Sequence, residues 1–406
     1  NSGETVFQRQ FRSPQVNSIW YDPKTTYLPW MGPNGVRMTA YPANMAPWDP
    51  VIATTTYDLT KTVSPNITWC TATNSCAASG KTFNPAQYYI LTDGADPTKM
   101  DSYTRYNLND TTVTTYPKSA SRTDCGSAAV TVCARDQELQ NFSNWFTYYR
   151  MRESLTKAAV SETLFNFTDK IRVGWGQINP SNAKKTKLTV VQQGIQPLDS
   201  AWLKSVLTNV QNISSYPSTP LRTAMDTVGK YFSKALSDAD NPWLTSPGDT
   251  QSSDHETNSG ALSCRRSVNV LMTDGYYNDR YSSAGDQDGV NGPDYASDNP
   301  DGYTPTGYVV SRPFNDAPST YKDTLADVAT KYYVNDLQSG IANKVAPVDG
   351  DIAFWQHLTQ YTVGLGVKGT LDSSTAAKKL ETIKAIKAGS QSWPDPTKGS
   401  PQKIDD

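Results

Sequence analysis

Histidine is nearly missing from this chain: His255 and His357 are the two among 406 residues. So few imidazoles leave little for histidine-based acid–base or zinc chemistry to work with. The five cysteines (Cys70, Cys76, Cys125, Cys133 and Cys264) include no Cys-x-x-Cys pair, which argues against a structural zinc site. No run of 18 apolar residues exists, so no transmembrane helix is expected. Neither sign of charge is in excess, with 37 Lys+Arg against 39 Asp+Glu and a net charge of −2. That excludes the basic footprint of a nucleic-acid binder. Asn1-Ser-Gly-Glu-Thr5 has neither a basic n-region nor an apolar h-region, so no signal peptide is read there. The chain does not open on Met, as expected of a processed or truncated product.

What is abundant points to export. Charged residues make up 19%, while there are 23 Tyr and 10 Trp, with many Thr, Ser and Asn. Cys70 with Cys76, and Cys125 with Cys133, are closely spaced in Ser/Thr/Gly-rich stretches. Both are expected to form disulfides in an oxidising compartment. Cys264 is then the odd one, either free and buried or paired outside this sequence.

Residues 1–140 show no helical periodicity and are punctuated by Pro and Gly. Irregular loops with short strands are expected there, either inserted into the following domain or lying on it as a lobe. Residues 141–167 read as one long helix. Then come strands at 171–178 and 188–192, a helix at 199–211, and a helix from Pro220 to about Leu236 with Thr219 as its N-cap. A strand at 267–273, a helix at 320–337, a strand at 361–367 and a Lys-rich helix at 374–388 complete the order. Alternation of this kind predicts an α/β core over 141–390 with a mainly parallel sheet. Residues 391–406 read as a linker.

The central stretch is Ser267-Val-Asn-Val-Leu-Met-Thr-Asp-Gly-Tyr-Tyr-Asn-Asp279. Its short apolar run ends at Thr273-Asp274-Gly275 and reads as a strand buried on both faces. Ligands of open α/β sheets sit beyond the carboxyl ends of the strands, which places Asp274 where an ion or ligand would be held. The plainer alternative is that Asp274 only caps the turn. The following loop carries Asp286, Asp288, Asp294, Asp298 and Asp301. It reads first as a solvated acidic loop and second as a calcium loop. The EF-hand spacing fails, because Val290 stands at the third ligand position when Asp286 is the first.

Thr219-Pro-Leu-Arg222 followed by Met272-Thr-Asp-Gly275 resembles two parts of the metal-ion-dependent adhesion site of von Willebrand factor A domains. Tyr21-Asp-Pro, Thr26-Tyr-Leu-Pro-Trp30, Asn141-Phe-Ser-Asn-Trp-Phe-Thr-Tyr-Tyr-Arg150, Arg172-Val-Gly174, Cys264-Arg-Arg266, Thr324-Leu-Ala-Asp-Val-Ala329 and Trp355-Gln-His-Leu358 extend the likeness. Together they resemble the N-terminal part of the PilC/PilY family of adhesins associated with type IV pilus tips. The resemblance implies a von Willebrand factor A-like (Rossmann-like), mainly parallel sheet flanked by helices, with a large irregular disulfide-containing N-terminal insertion. It implies Mg²⁺ or Ca²⁺ held by Thr219, Asp274 and Ser2, with Glu4 replacing a second hydroxyl. The family's opening Asp-x-Ser-x-Ser is absent from this chain.

The resemblance further implies a non-enzymatic, exported protein at the cell surface, pilus tip or outer membrane. Its partners would be pilins or minor pilins and a host or abiotic surface receptor. A C-terminal β-propeller would follow the Ile404-Asp-Asp406 end. Two other classes compete: a calcium- or metal-dependent hydrolase using the Asp-rich loop 286–301, and a carbohydrate-binding surface module using the Trp and Tyr content.

Overall fold

The computed structural model describes residues 4–62, 67–72, 75–79, 85–180, 189–213, 218–244, 261–315 and 321–405; for 67–72 and 75–79 it gives the backbone. Its helices are α1 (Val6–Phe11), α2 (Arg135–Tyr148), α3 (Arg152–Asn166), α4 (Ser200–Gln211), α5 (Leu221–Phe232), α6 (Leu325–Val334) and α7 (Ala376–Ala388). Strands β1 (Ala46–Pro47), β2 (Thr56–Tyr57), β3 (Ile67–Ala72), β4 (Ser75–Ser79), β5 (Gln87–Leu91), β6 (Tyr103–Asn107), β7 (Thr115–Pro117) and β8 (Val132–Ala134) precede α2. After α3 come β9 (Arg172–Gly176), β10 (Val191–Pro197), β11 (Val268–Thr273) and β12 (Thr359–Gly364). None of the described helices is long and apolar enough to cross a membrane.

The chain divides into two compact units, residues 1–169 with 199–213, and residues 170–198 with 214–406. The first is built around α2. Leu139, Phe142 and Trp145 lie on its inward stripe and pack with Tyr21, Tyr88 and Leu108. Antiparallel hairpins β5–β6 and β7–β8 belong to this unit. Beneath them lies a buried polar knot. The Arg122 guanidinium meets the Glu138 carboxylate, both sealed from solvent. Tyr21 Oη donates to Glu138 Oε1 at 2.8 Å, and Asn141 Nδ2 donates to Tyr21 Oη at 2.9 Å.

The helix expected over 141–167 is two helices. Tyr149 leaves the helical region and Met151 is extended at φ −112°, ψ 150°, where α3 is N-capped. The Tyr149 hydroxyl donates to the Leu28 carbonyl at 2.6 Å, and Arg150 to the Phe146 and Trp48 carbonyls. Side chains that helical continuity would spread around the axis here tie down the segments around Leu28 and Trp48. Cys125 and Cys133 are bonded as expected, and Cys264 is free and exposed. The β3–β4 register sets Cys70 directly opposite Cys76; their side chains lie outside the described residues.

In the second unit α5 and α6 pack on one face of β11–β12. Leu221, Met225, Phe232, Trp243, Leu271 and Val328 form the core. Asp226, buried on α5, accepts from Tyr332 Oη at 2.7 Å and Tyr281 Oη at 2.9 Å. Lys230 reaches the same carboxylate at 2.7 Å. At Gly229 the helices come so close that an added Cβ would lie 2.3 Å from the Tyr332 ring. Alanine ordinarily favours a helix by up to about 1 kcal/mol over glycine. Here the overlap should reverse the sign, and Gly229→Ala is expected to destabilise by about 1–3 kcal/mol. Urea unfolding measures this; an unchanged or raised midpoint would mean α5 and α6 are not so closely packed.

The mainly parallel, von Willebrand factor A-like sheet expected from the sequence is not found. Among the described residues every sheet is two-stranded, and only β11–β12 is parallel. The reason lies in the strands' faces. Leu271 and Thr273 turn inward, but Val268, Val270, Tyr361 and Val363 are 45, 55, 58 and 38% exposed. An apolar run was read as burial on both faces, whereas these strands are covered on one. The β9–β10 pair is antiparallel, with register shifts between Val191 and Gln193 and between Gln193 and Gln196.

Candidate cation site

Two turns meet at the C-terminal end of β11. The helix α5 begins at Leu221 with Pro220 as N-cap, so Thr219 does not cap it. Instead the Thr219 hydroxyl donates to the Tyr276 carbonyl at 2.5 Å. Asn278 Oδ1 accepts from Thr219 N at 3.0 Å and from Ser218 Oγ at 2.8 Å. Gly275 leaves room for Thr219, whose Cγ2 would lie 3.2 Å from an added Cβ. Asp274 is exposed on this turn. The structure therefore places the Thr219 and Asp274 turns side by side, as the sequence motif suggested. Ser2 lies outside the described residues. The Glu4 carboxylate accepts from Tyr89 Oη at 2.6 Å and pairs with Arg9 and Arg12 at 3.4 and 3.5 Å.

From Tyr276 the chain runs to the acidic loop, and that run is clamped at both ends. Arg222 stacks on the Tyr277 ring at 4.5 Å and reaches Asp279 Oδ1 at 3.3 Å. Asp279 Oδ2 accepts from Thr223 N and Oγ1 at 2.9 and 2.7 Å. At the other end Asp323, in the left-handed region at φ 60°, accepts from the Ala284 and Gly285 amides at 2.9 and 2.8 Å. Two residues beyond Gly285, Gln287 N donates to Asp327 Oδ1 at 2.6 Å.

This arrangement brings Asp286, Asp288 and Asp327 together. One oxygen from each lies within 4.8 Å of the others, so the group could hold a metal ion. Asp288 and Asp327 are 2% and 0% exposed. Asp327 is the third residue of a capping box on α6: its Oδ2 accepts from Thr324 N at 2.9 Å, and Asp327 N donates to Thr324 Oγ1 at 3.1 Å. Burial pushes its carboxyl up, against the pull of the Gln287, Thr324 and Asp288 amides. Asp327 Oδ2 also accepts from Thr324 Oγ1 at 3.0 Å, so its own oxygens are well engaged and a cation here would draw chiefly on the Asp286 and Asp288 carboxylates. Asp327 was missed by sequence reasoning because Thr324-x-x-Asp327 looks like an ordinary capping signal. Its burial inside a loop of acids is visible only in three dimensions.

The other acids of the loop go elsewhere. Asp294 Oδ1 accepts from Ala296 N at 2.9 Å, Asp298 Oδ2 accepts from Asn343 Nδ2 at 2.8 Å, and Asp301 is exposed. Of the two histidines, His255 lies outside the described residues. His357 is buried, its Nδ1 2.7 Å from the Trp355 carbonyl and its Nε2 3.2 Å from Asp351 Oδ2. Burial pushes the Asp351 carboxyl up, but hydrogen bonds from His357 and Tyr333 outweigh it and hold it at about 2. A carboxyl depressed in the folded state gives stability above its unfolded value and loses it on acidification. Unfolding free energy should therefore fall by about 2 kcal/mol between pH 4 and 2 on account of this group. Acid titration of Asp351→Asn should show that segment flattened; an identical acid limb in both proteins would remove the assignment.

No family model and no solved structure matches the chain. It is similar to proteins named type IV pilus biogenesis factor PilY1 from Pseudomonas aeruginosa. Identity to that of strain PAK is 28% over 285 residues, covering 63% of this chain and 22% of the relative. For strain PAO1 it is 27% over 281 residues, covering 64% and 22%. The matched stretch thus spans about a fifth of the length of these relatives.

Proposed function

Because this chain belongs to the PilC/PilY family, we propose that it is a non-enzymatic module of an exported type IV pilus protein, one that supports pilus biogenesis and surface attachment. The relatives named for pilus biogenesis support the first role. The proposed partners are pilins or minor pilins at the tip and a host or abiotic surface, with further chain completing the protein. The one observation that carries a mechanism is the Asp286–Asp288–Asp327 group, in which two buried carboxylates are held close together. Like charges out of water are costly unless a proton or a cation joins them. Calcium suits the place, since it takes oxygen ligands from irregular loops, whereas magnesium demands near-octahedral order. Bound there, it would tie the acidic loop to α6 and so shape the surface offered to a partner.

The neighbouring turns that carry Thr219 and Asp274 are proposed as a second, weaker position for Mg²⁺. The Thr219 hydroxyl already donates to Tyr276, so its oxygen would serve through a lone pair. Titration with Mn²⁺ should lose this component in Asp274→Ala.

The test of the function is made in cells carrying the full-length protein. Asp288→Asn should reduce attachment while the protein is still exported, and chelation of calcium should reproduce the defect in the parent. Attachment and pilus number unchanged by both would sink the reading. Calcium-dependent ester or phosphate hydrolysis that disappears in Asp288→Asn would replace it with an enzymatic one.

A further inference from the structure

We infer that Asp298, Asp336 and Asn343 form a separate calcium position in the second unit. An orphaned oxygen carries the inference. Asn343 is 0% exposed, and among the described residues its Oδ1 has no hydrogen-bond partner. Its Nδ2 donates to Asp298 Oδ2 at 2.8 Å. That bond fixes the orientation of the amide, because turning it over would set the amide oxygen against a carboxylate with no proton between them. A buried amide oxygen, one carbon from the nitrogen that binds Asp298, is therefore left needing a positive neighbour.

The segment that carries a second acid, Asp336, is joined to the turn of Asp298. The Asp336 amide donates to Tyr295 Oη at 2.7 Å, and Tyr295 is the N-cap of the short turn Ala296–Asp298. The Asp336 segment is thus tied to the turn that carries Asp298. Asp336 Oδ1 accepts from Gln338 N at 2.8 Å. Burial, with the charge of Asp298 added, pushes the Asp336 carboxyl up to about 6. Among the described residues neither acid has an ion-pair partner. Two carboxylates and an amide oxygen are a hard, oxygen-only donor set of the kind calcium accepts. Asp298 is exposed, which gives the ion a way in. Calcium here would hold the Ala296–Asp298 turn against the chain that follows α6. The donors differ from those of the Asp286–Asp288–Asp327 group, so either position can exist without the other.

Native mass spectrometry of the intact protein in calcium tests this by counting bound ions. Asp336→Asn should bind one ion fewer than the parent, and so should Asn343→Leu, which keeps the site buried while removing the amide. Asp288→Asn should also lose one, and its combination with Asp336→Asn should lose two. If Asp336→Asn and Asn343→Leu both fold, by circular dichroism, and keep the parent's count, the inference is overturned and the orphaned oxygen holds water. If Asp336→Asn loses an ion and Asp288→Asn does not, this position stands and the one under Proposed function falls.

Discussion

Arg122→Ala is expected to lower the free energy of unfolding by about 3–5 kcal/mol, because it leaves a buried carboxylate without its cation. Glu138 and Arg122 are both sealed from solvent at the base of α2. Burial works against the guanidinium's charge, but Asp124 and Glu138 outweigh it and hold it protonated. Arg122 Nε and Nη2 bind Asp124 Oδ1 and Oδ2 at 2.9 and 2.6 Å, so one side chain neutralises two acids. Removing it strands Glu138 with only the hydroxyl of Tyr21 and the surrounding polar groups. The cost is that of an unpaired charge and does not measure what the pair adds, since a buried pair replaced whole by apolar groups is often neutral. Arg122→Met combined with Glu138→Leu should therefore recover part of what Arg122→Met alone loses. Chemical unfolding of the two single variants and the double gives the coupling. Additive losses would show that the two groups do not act as a pair.

The second large effect concerns calcium. Asp288→Asn removes one of two closely held, buried carboxylates, so without calcium the variant should be at least as stable as the parent. With calcium the order should invert. A ligand that binds only the folded state stabilises it by about 2.7 kcal/mol at a hundred times its dissociation constant. The parent should gain that at this site and the variant should not. The crossing of the two stabilities as calcium is added is the signature, and differential scanning calorimetry reads it. A variant weaker than the parent in both conditions would indicate a structural role for Asp288 alone.

Local order was legible where periodicity and punctuation agree. The strand read at 267–273 is β11, and the helix read at 199–211 is α4, N-capped by Asp199. Thr219 and Asp274 were placed on neighbouring turns from their motif, and the turns do meet, bonded through Tyr276 and Asn278. The sheet was not legible. Val268 and Val270 look like core residues in sequence, yet nothing in sequence says which faces a strand's neighbours will cover. The acidic loop was legible as acids without an arrangement. Asp327 joins Asp286 and Asp288 from across 39 or more positions, and only the fold of α6 against the loop brings it there. The same holds for Asn343, an amide with no motif around it, whose significance comes from its burial.

The most direct measurement is amide hydrogen exchange over residues 284–289, with and without calcium. The Ala284 and Gly285 amides are held by Asp323, Gln287 by Asp327, and Gly289 by Asp286 Oδ1 at 2.8 Å. A cation joining Asp286, Asp288 and Asp327 closes the loop over these bonds, so exchange there should slow by tenfold or more for each ~1.4 kcal/mol gained. Asp288→Asn should exchange at the calcium-free rate in both conditions. Exchange that calcium leaves unchanged in the parent, or slows equally in Asp288→Asn, would contradict a cation-held loop.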